Sequence, residues 1–364
     1  MMSRRRSMSP PALREHPAAP TAPPPWGAAL PSREACYHRH VLKDPYQRKI
    51  DYLRLSVTDR CNLRCLYCMP AEGVPHLPHE DILTYEEILR FAAAAARSGI
   101  GKIRLTGGEP LVRKGIESLI SGLSAISPRP DLSLTTNGIL LDRQARALRR
   151  AGLRRVNVSI DSLDPGTYRE ITRGGDLEDA LRGIRAALSA GLRPVKVNVV
   201  LLRGVNDSEK EISSFIRLGE RLPVFIRFIE YMSPRGDLDH SHFVPVERVR
   251  EVLEGLDRIE ECDGPEGAGP ASYLRLARRG LQVGLITPVT SHFCATCNRL
   301  RLTADGKLKS CLLSPTEMDI RALLREEAGE TELVEAIGRC LADKPVRGEL
   351  PASGILGNMS SIGG

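Results

Sequence analysis

A repeated alternation of short apolar runs with helical patterns constrains this chain more than any other feature. Six runs rich in β-branched and aliphatic residues occur between residues 50 and 230, and segments with apolar residues at helical spacing separate them. The predicted strands cover residues 53–57, 102–106, 132–136, 156–160, 195–201 and 225–229, and the predicted helices cover residues 85–97, 116–123, 143–151, 177–190 and 209–221. Strands that alternate with helices in this way form a parallel sheet with right-handed crossovers.

Polar residues that directly follow these strands favour a barrel over an open sheet. Residues 106–109, 135–138, 159–162 and 230–232 all follow predicted strands and carry Thr, Glu, Asn, Ser or Asp side chains. β/α barrels build their sites where the carboxyl ends of the strands converge. We therefore expect an α/β fold with an incomplete (β/α)6 TIM-like barrel that is open on one side.

The domain organisation follows from where the alternation of predicted strands and helices begins and ends. We predict a disordered N-terminal extension over residues 1–44, a partial barrel over 45–245, a smaller C-terminal domain over 246–345 and a C-terminal tail over 346–364. The extension is rich in Pro, Ala and Arg and has no apolar periodicity, which is typical of disorder. A transit peptide is the weaker alternative because the proline density does not fit one, and a misassigned start codon also remains open.

Composition and charge exclude several classes of protein. The 364 residues are 41% hydrophobic and 27% charged, as in soluble globular proteins, and no run of eighteen apolar residues could span a membrane. Seven basic and three acidic residues in the extension supply +4 of the net charge of +7. The remainder gives no case for a nucleic-acid-binding face, although a local basic pocket for a phosphorylated ligand is compatible with it.

The nine cysteines indicate a reducing, cytoplasmic setting. Six of them lie in two tight groups, and the chain shows no apolar core of a signal peptide. A secreted disulfide framework would not leave an odd thiol or crowd thiols in this way. Clustered thiols in a reducing compartment are typical of metal or iron–sulfur ligands.

The first group, Cys61, Cys65 and Cys68, directly follows the first predicted strand. Three thiolates at this spacing can bind three irons of a cubane cluster and leave the fourth iron open. The alternative is a structural zinc site, which needs a fourth ligand; His76 and His79 are available in the sequence.

The second group, Cys294, Cys297 and Cys311, lies beside Arg299 and Arg301. Residues two apart on an extended segment point to the same side, so these arginines form a candidate anion-binding pair. A zinc ribbon is a stronger alternative here than for the first group. The arginine pair favours a second iron–sulfur cluster whose open iron meets the substrate.

The motifs together resemble known enzymes. The three-cysteine loop, with Tyr67 inside it, and the Gly-Gly-Glu-Pro segment at residues 107–110 resemble the radical S-adenosylmethionine (SAM) superfamily. Over about residues 45–364 the chain resembles the GTP 3′,8-cyclases, the molybdenum cofactor biosynthesis protein A family. The motifs that carry this resemblance lie at residues 53–61, 102–110, 135–138, 157–163, 195–198, 227–232, 293–301 and 363–364. The extension before residue 45 is the one departure.

The resemblance implies two [4Fe–4S] clusters and SAM as cofactors. Each cysteine group would hold one cluster, and SAM would bind the open iron of the first. The implied cofactor contacts are Tyr67, Gly108, Ser159 and Met232. The implied GTP-binding residues are Arg54, Arg104, Thr135, Lys196, Arg299, Leu300 and Arg301, and the implied catalytic residues are Arg299, Arg301, Gly363 and Gly364.

Three of these cations also point to a site on physical grounds alone. Arg54, Arg104 and Lys196 lie inside otherwise apolar strands, where an unpaired cation would be costly. We therefore interpret them as ligands for an anion rather than as solvated surface charges.

The reaction implied by the resemblance is radical cyclisation of GTP. A 5′-deoxyadenosyl radical removes the 3′ hydrogen, and the ribose radical adds to C8 of the purine, which is the first step of molybdenum cofactor biosynthesis. The implied partners are a flavodoxin- or ferredoxin-like electron donor, a downstream cyclic pyranopterin monophosphate synthase and a second copy of the chain in a homodimer. We expect neither nucleic acid nor a membrane as a partner. The alternatives are a radical SAM peptide-modifying maturase with an auxiliary cluster and a zinc-stabilised binding protein without turnover.

Overall fold

A single twelve-stranded sheet organises residues 41–232, 240–265 and 269–349, which the computed structural model describes. The first part of the chain forms β1 (Tyr52–Ser56), α1 (Tyr85–Arg97), β2 (Lys102–Thr106), α2 (Ile116–Ala125), β3 (Asp131–Thr136), α3 (Leu141–Ala151), β4 (Arg155–Ser159), α4 (Pro165–Thr172), α5 (Leu177–Ser189), β5 (Val195–Leu201), α6 (Glu209–Arg221) and β6 (Val224–Glu230). The second part forms α7 (Glu247–Leu256), β7 (Ile259–Cys262), β8 (Ser272–Leu276), β9 (Leu281–Ile286), β10 (Arg299–Leu302), β11 (Lys307–Lys309), β12 (Met318–Asp319), α8 (Arg321–Arg325) and α9 (Glu330–Ala342).

The six predicted strands are confirmed to within one residue at each end, and the five predicted helices to within two. Helix α4 was not predicted. It begins at Pro165, and the side chain of Asp164 caps it by accepting a hydrogen bond from the Thr167 N–H at 2.9 Å. An Asp-Pro pair at a helix start is a recognised signal, so the sequence did contain an indication of α4.

Strands β1 to β6 pair in chain order and run parallel, as in a β/α barrel. Residues 246–345, predicted as a smaller C-terminal domain, add strands to both edges of this same sheet. β9 pairs in parallel with β6, and β10 pairs in parallel with β1. Two further strands lie outside each of these, in antiparallel pairing.

Side-chain alternation gives the sheet two different faces. In β1, Leu53 and Leu55 are fully buried in the hydrophobic core beneath the helices, whereas Tyr52 and Arg54 line a cavity on the other side. Successive side chains of a strand point to opposite faces, so one apolar–polar alternation positions both the core and the site. β2 and β10 repeat this alternation.

Both ends of the chain lie mainly outside the described residues. Within the predicted extension, residues 41–44 are described, and there Asp44 is buried and accepts hydrogen bonds from Arg48. Within the predicted tail, residues 346–349 are described, so Gly363 and Gly364 lie outside. Across the described ranges, none of the helices has the length and apolar character needed to cross a membrane.

Prediction on packing. Gly183 in α5 lies against the main chain after β3, where an added Cβ would stand 2.1 Å from the carbonyl oxygen of Gly138. Gly255 in α7 has nothing within 4 Å of such a Cβ. Alanine favours a helix over glycine by roughly 0.5–1 kcal/mol, so Gly255→Ala should stabilise the protein slightly. Gly183→Ala should lower the free energy of unfolding by roughly 1–3 kcal/mol because the site is overpacked. Urea unfolding of both variants is the measurement, and equal stability of the two would contradict this packing.

Candidate active site

A cavity of about 350 Å³ lies on the polar face of the sheet. Strands β1 to β6 and β10 all contribute residues to its wall, so the sheet curves around it as a partial barrel does. The predicted site residues that line it are Arg54, Cys61, Cys65, Tyr67, Cys68, Arg104, Gly108, Thr135, Ser159, Met232, Arg299 and Arg301. The structure thus brings together twelve positions that the sequence spreads over some 250 residues.

The first cysteine loop is anchored on the end of α4. The Arg64 N–H donates to the Thr172 carbonyl at 3.1 Å, and the Leu66 N–H donates to the Ile171 carbonyl at 2.9 Å. The guanidinium of Arg173 donates to the Met69 carbonyl at 2.9 Å. The helix that sequence reasoning missed is therefore what fixes the loop carrying the three thiols.

The donor set of this loop fits a cluster. Among the described ranges, no three Cys, His, Asp or Glu side chains converge closely enough to hold a single metal ion. Each thiolate of a cubane binds a different iron, so three thiols of one loop that line one cavity suit such a cluster. Burial raises the pKa of Cys68 to about 12, and burial with the charge of Asp161 raises that of Cys65 well above its usual value. The irons of a bound cluster would supply the positive charge that such buried thiolates need.

The Gly-Gly-Glu segment after β2 packs directly on the start of this loop. The Gly108 N–H donates to the Thr58 carbonyl and the Glu109 N–H to the Arg60 carbonyl, both at 2.8 Å. A Cβ on Gly108 would lie 2.3 Å from the Arg60 carbonyl oxygen, so only glycine fits there. The buried Glu109 carboxyl accepts hydrogen bonds from the Asn137 and Leu111 N–H groups, although burial raises its pKa to about 7.

Tyr67 is oriented by a buried carboxylate that the sequence analysis did not single out. Its hydroxyl donates to Asp161 at 2.8 Å, and the other carboxylate oxygen of Asp161 accepts the Val200 N–H at 2.8 Å. Burial raises the pKa of Asp161 to about 6, against the effect of these hydrogen bonds. Ser159 is the last residue of β4 and Asp161 lies two residues after it, at the same end of the sheet.

Cations stand side by side across three neighbouring strands. β1 lies between β10 and β2, and the register places Arg54 opposite both Arg301 and Arg104. Two residues before Arg54 on the same face of β1, Tyr52 lies opposite Arg299 of β10 and Lys102 of β2. Like charges placed directly opposite each other in a sheet are destabilising.

The pKa values reflect this crowding of positive charge. Burial and the Arg301 charge lower the pKa of Arg54 well below its usual value, and burial with the Arg299 charge lowers that of Arg301 to about 10. The buried Nε of Arg54 has no hydrogen-bond partner among the described residues. A polyanion in the cavity would relieve the repulsion and satisfy such donors.

Arg227 in β6 is a further cavity cation that the predicted set omitted. It is 2% exposed, and its guanidinium donates to the side-chain oxygens of Asn198 at 2.9 Å and Asn157 at 3.0 Å. Burial lowers its pKa to about 10. The sequence does indicate Arg227 as a site residue, because it is a cation inside an otherwise apolar strand, like Arg54. Lys102 does not line the cavity, but its ammonium lies 4.5 Å from the centre of the ring of Tyr52, which does line it.

The second cysteine group lies beside the cavity rather than in its wall. Cys294, Cys297 and Cys311 are not among the lining residues, although their neighbours Phe293 and Leu312 are. The Lys344 ammonium lies 3.8 Å from the Cys297 sulfur and donates to the Arg299 carbonyl at 2.9 Å. Burial raises the pKa of Cys297, but the charges of Arg299 and Lys344 outweigh it and bring the pKa to about 7.

Three predicted nucleotide positions differ in how they relate to the cavity. Thr135 lines it and accepts a hydrogen bond from the Asn157 amide at 3.2 Å. Lys196 does not line it; burial and the Arg227 charge lower its pKa to about 6. The Leu300 side chain is fully buried in the hydrophobic core on the opposite face of β10, so only its main chain could meet a ligand.

Prediction on the cation row. Arg54→Met removes two like-charge pairings while keeping the side chain's apolar volume. The free energy of unfolding of the nucleotide-free protein should rise, by roughly 0.2–1 kcal/mol for each pairing removed. Arg155→Met is the matched control, because Arg155 is also a buried strand arginine but forms an ion pair with Asp131. Its loss should destabilise by about 1.5–3 kcal/mol. Urea unfolding measures both, and destabilisation by Arg54→Met would show that the row is not a source of repulsion.

The comparisons with known proteins agree with this geometry. The family described as the Radical SAM superfamily matches residues 55–216, and the one described as Molybdenum Cofactor Synthesis C matches residues 224–350. The GTP 3′,8-cyclase of Pelotomaculum thermopropionicum is 50% identical over 310 residues, which cover 84% of this chain and 94% of that protein. The GTP 3′,8-cyclase of Moorella thermoacetica is 51% identical over 306 residues, with the same two coverages. That of Thermodesulfovibrio yellowstonii is 47% identical over 327 residues, covering 89% of this chain and all of that protein.

Among solved structures, the fold is similar to that of Streptococcus suis SuiB bound to the precursor peptide SuiA. The TM-score is 0.55 at 15% sequence identity, over 80% of this chain and 68% of that one. At this identity the likeness concerns the fold alone. The identities near 50% over most of both chains decide the family and do not support the peptide-maturase alternative. The chain belongs to the GTP 3′,8-cyclase family of radical SAM enzymes.

Proposed function

We propose that this enzyme cyclises GTP to (8S)-3′,8-cyclo-7,8-dihydroguanosine 5′-triphosphate, the first step of molybdenum cofactor biosynthesis. The main support for this function is that a single cavity is lined both by the three-cysteine loop and by the row of Arg301, Arg54 and Arg104. A binding module for zinc alone would need neither the row of cations nor the enclosure.

The cations bind and orient the triphosphate. Arg54, Arg104, Arg299 and Arg301 present guanidinium donors from neighbouring strands into one cavity; Arg104 and Arg301 are buried, and Arg54 and Arg299 are half-buried. Hydrogen bonds between charged groups are about twice as strong as neutral ones, and their geometry fixes the substrate against the site. Arg227 extends this set and is held by Asn198.

Cys61, Cys65 and Cys68 would hold the [4Fe–4S] cluster that binds SAM, with Tyr67, Gly108, Ser159 and Met232 around the cofactor. When bound, SAM and the reduced cluster together would supply a 5′-deoxyadenosyl radical, with methionine as the other product, and this radical is the species needed to take the 3′ hydrogen of GTP. The protein's part is to align the substrate and exclude water. The hydrogen bonds of the loop to α4, of Gly108 to the Thr58 carbonyl and of Glu109 to the Arg60 carbonyl hold the donor set in place.

Cys294, Cys297 and Cys311 would hold a second [4Fe–4S] cluster near the purine. The charges of Arg299 and Lys344, which lower the pKa of Cys297, favour a thiolate ready to bind iron. Arg299 links the cavity to the second cysteine group. Its side chain lines the cavity, and its carbonyl accepts a hydrogen bond from Lys344, which lies beside Cys297.

The remaining assignments rest on the family resemblance. We propose catalytic roles for Arg299 and Arg301, and for Gly363 and Gly364, which lie outside the described residues. We further propose a cytoplasmic homodimer that receives electrons from a flavodoxin- or ferredoxin-like donor and passes its product to a cyclic pyranopterin monophosphate synthase.

Prediction on activity. The anaerobically reconstituted protein should hold about eight irons per chain, because each three-cysteine site would carry a four-iron cubane. With GTP, SAM and dithionite it should form 5′-deoxyadenosine and the 3′,8-cyclised nucleotide, identified by mass spectrometry. ATP in place of GTP is the control and should give no cyclised product. Formation of 5′-deoxyadenosine without any GTP-derived product would contradict the proposed substrate and reopen the maturase alternative.

Prediction on the two cysteine groups. Cys65→Ala should abolish cleavage of SAM to 5′-deoxyadenosine, because the first cluster loses a ligand. Cys311→Ala should keep that cleavage but lose the cyclised nucleotide, because only the second site is damaged. Cys262→Ala is the control, since Cys262 lies in β7 away from the cavity wall and should keep both activities. Iron content and both products are measured for each variant; equal effects of Cys65→Ala and Cys311→Ala would argue against two separate clusters.

A further inference from the structure

Tyr52 is a cavity residue to which neither the motifs nor the proposed mechanism assigns a role. Its side chain is 3% exposed and lines the cavity, and its buried hydroxyl has no hydrogen-bond partner among the described residues. The hydroxyl of Tyr168 is also buried without a partner in that part of the chain, but Tyr168 does not line the cavity. A buried polar group without a partner destabilises the folded state, so an orphaned hydroxyl in a cavity wall calls for an explanation.

The surroundings of Tyr52 are cationic. The ammonium of Lys102 lies 4.5 Å from the centre of its ring, and the guanidinium carbon of Arg104 lies 5.3 Å from it. In the sheet, Tyr52 stands opposite Lys102 on one side and Arg299 on the other, with Arg54 two residues further along β1.

These neighbours cannot accept the proton of the Tyr52 hydroxyl. Lysine and arginine side chains are donors only, whereas a phenol carries one donor and can also accept. An acceptor for this proton must therefore come from outside the cation row. Phosphate oxygens are strong acceptors, and the cations draw a polyphosphate to this place.

The position also argues against simple packing. β1 directs Leu53 and Leu55 into the hydrophobic core and Tyr52 into the cavity. Phenylalanine would fill the same volume without an orphaned hydroxyl. Burial alone would raise the pKa of the Tyr52 hydroxyl. The charges of four cations outweigh this effect and lower the pKa below its usual value: Arg104, Arg54, Lys102 and Arg299. The lowered pKa makes the hydroxyl a stronger hydrogen-bond donor.

We propose that Tyr52 is a further substrate-binding residue, whose hydroxyl donates a hydrogen bond to a non-bridging phosphate oxygen of the nucleoside triphosphate. This inference rests on the proposed function, because it takes the ligand of the cation row to be the triphosphate of GTP. It adds a neutral donor to a site whose other phosphate ligands all carry positive charge.

Tyr52→Phe removes only the hydroxyl, and Tyr168→Phe is the matched control. Calorimetric titration of the reconstituted holoenzyme with GTP, inorganic tripolyphosphate and guanosine separates phosphate recognition from base recognition. Tyr52→Phe should weaken GTP and tripolyphosphate binding on the order of tenfold or more, the factor for a hydrogen bond to a charged group. Guanosine binding should be unchanged, and Tyr168→Phe should bind all three ligands as the parent does.

Two results would overturn the proposal. The first is unchanged GTP and tripolyphosphate affinity in Tyr52→Phe; the second is an equal loss for guanosine, which would assign Tyr52 to the shape of the cavity. If the parent enzyme fails to bind GTP, the proposed substrate is wrong, and the tripolyphosphate titration alone still decides the role of Tyr52. Iron content and thermal unfolding of each variant establish that the clusters and the fold are intact.

Discussion

The parallel pairing of β1 with β2 on one side and β10 on the other is the constraint on which the site depends. It brings Arg54, Arg104 and Arg301 into one row, although Arg301 is separated from Arg54 by 247 positions in the sequence. A shift of β10 by one residue would turn its arginines into the core and expose its leucines. Leu300 and Leu302 are fully buried in the core, so hydrophobic burial on one face fixes the cations on the other.

The same pairing creates a tension between stability and function. Three neighbouring strands that place like charges opposite one another are poorer partners than strands with neutral pairs. The apolar face of the sheet offsets this, because each strand of the row also buries aliphatic residues such as Leu53 and Leu105. Natural proteins break local rules of this kind at functional sites, where a ligand removes the penalty. This tension is consistent with the proposal that the row binds an anion, whose charge would remove the repulsion.

The sequence predicts the features whose signals lie within a few neighbouring residues, and it does not predict contacts between distant segments. The bounds of β2, β5 and α1 coincide with prediction, because alternation and helical periodicity lie within a dozen residues. The parallel pairing of β9 and β10 with the barrel strands was not predicted, since it joins segments 60 to 250 residues apart and has no local signature. Cysteine positions are predictable from spacing, whereas the anchoring of their loop on α4 appears only in three dimensions. Arg227 and Tyr52 show the remaining gap: their residue types were visible, but only burial and register reveal that they face the cavity.

The register also explains why one chain carries two cysteine groups so far apart in sequence. Cys61 follows the carboxyl end of β1, and Cys297 precedes the amino end of β10, and these two strands run parallel in register from Tyr52 and Arg299 onward. The two groups therefore lie toward opposite ends of one strand pair. The row of cations on β10, β1 and β2 lies between these two ends, so we expect a ligand that binds the row to approach both cysteine groups.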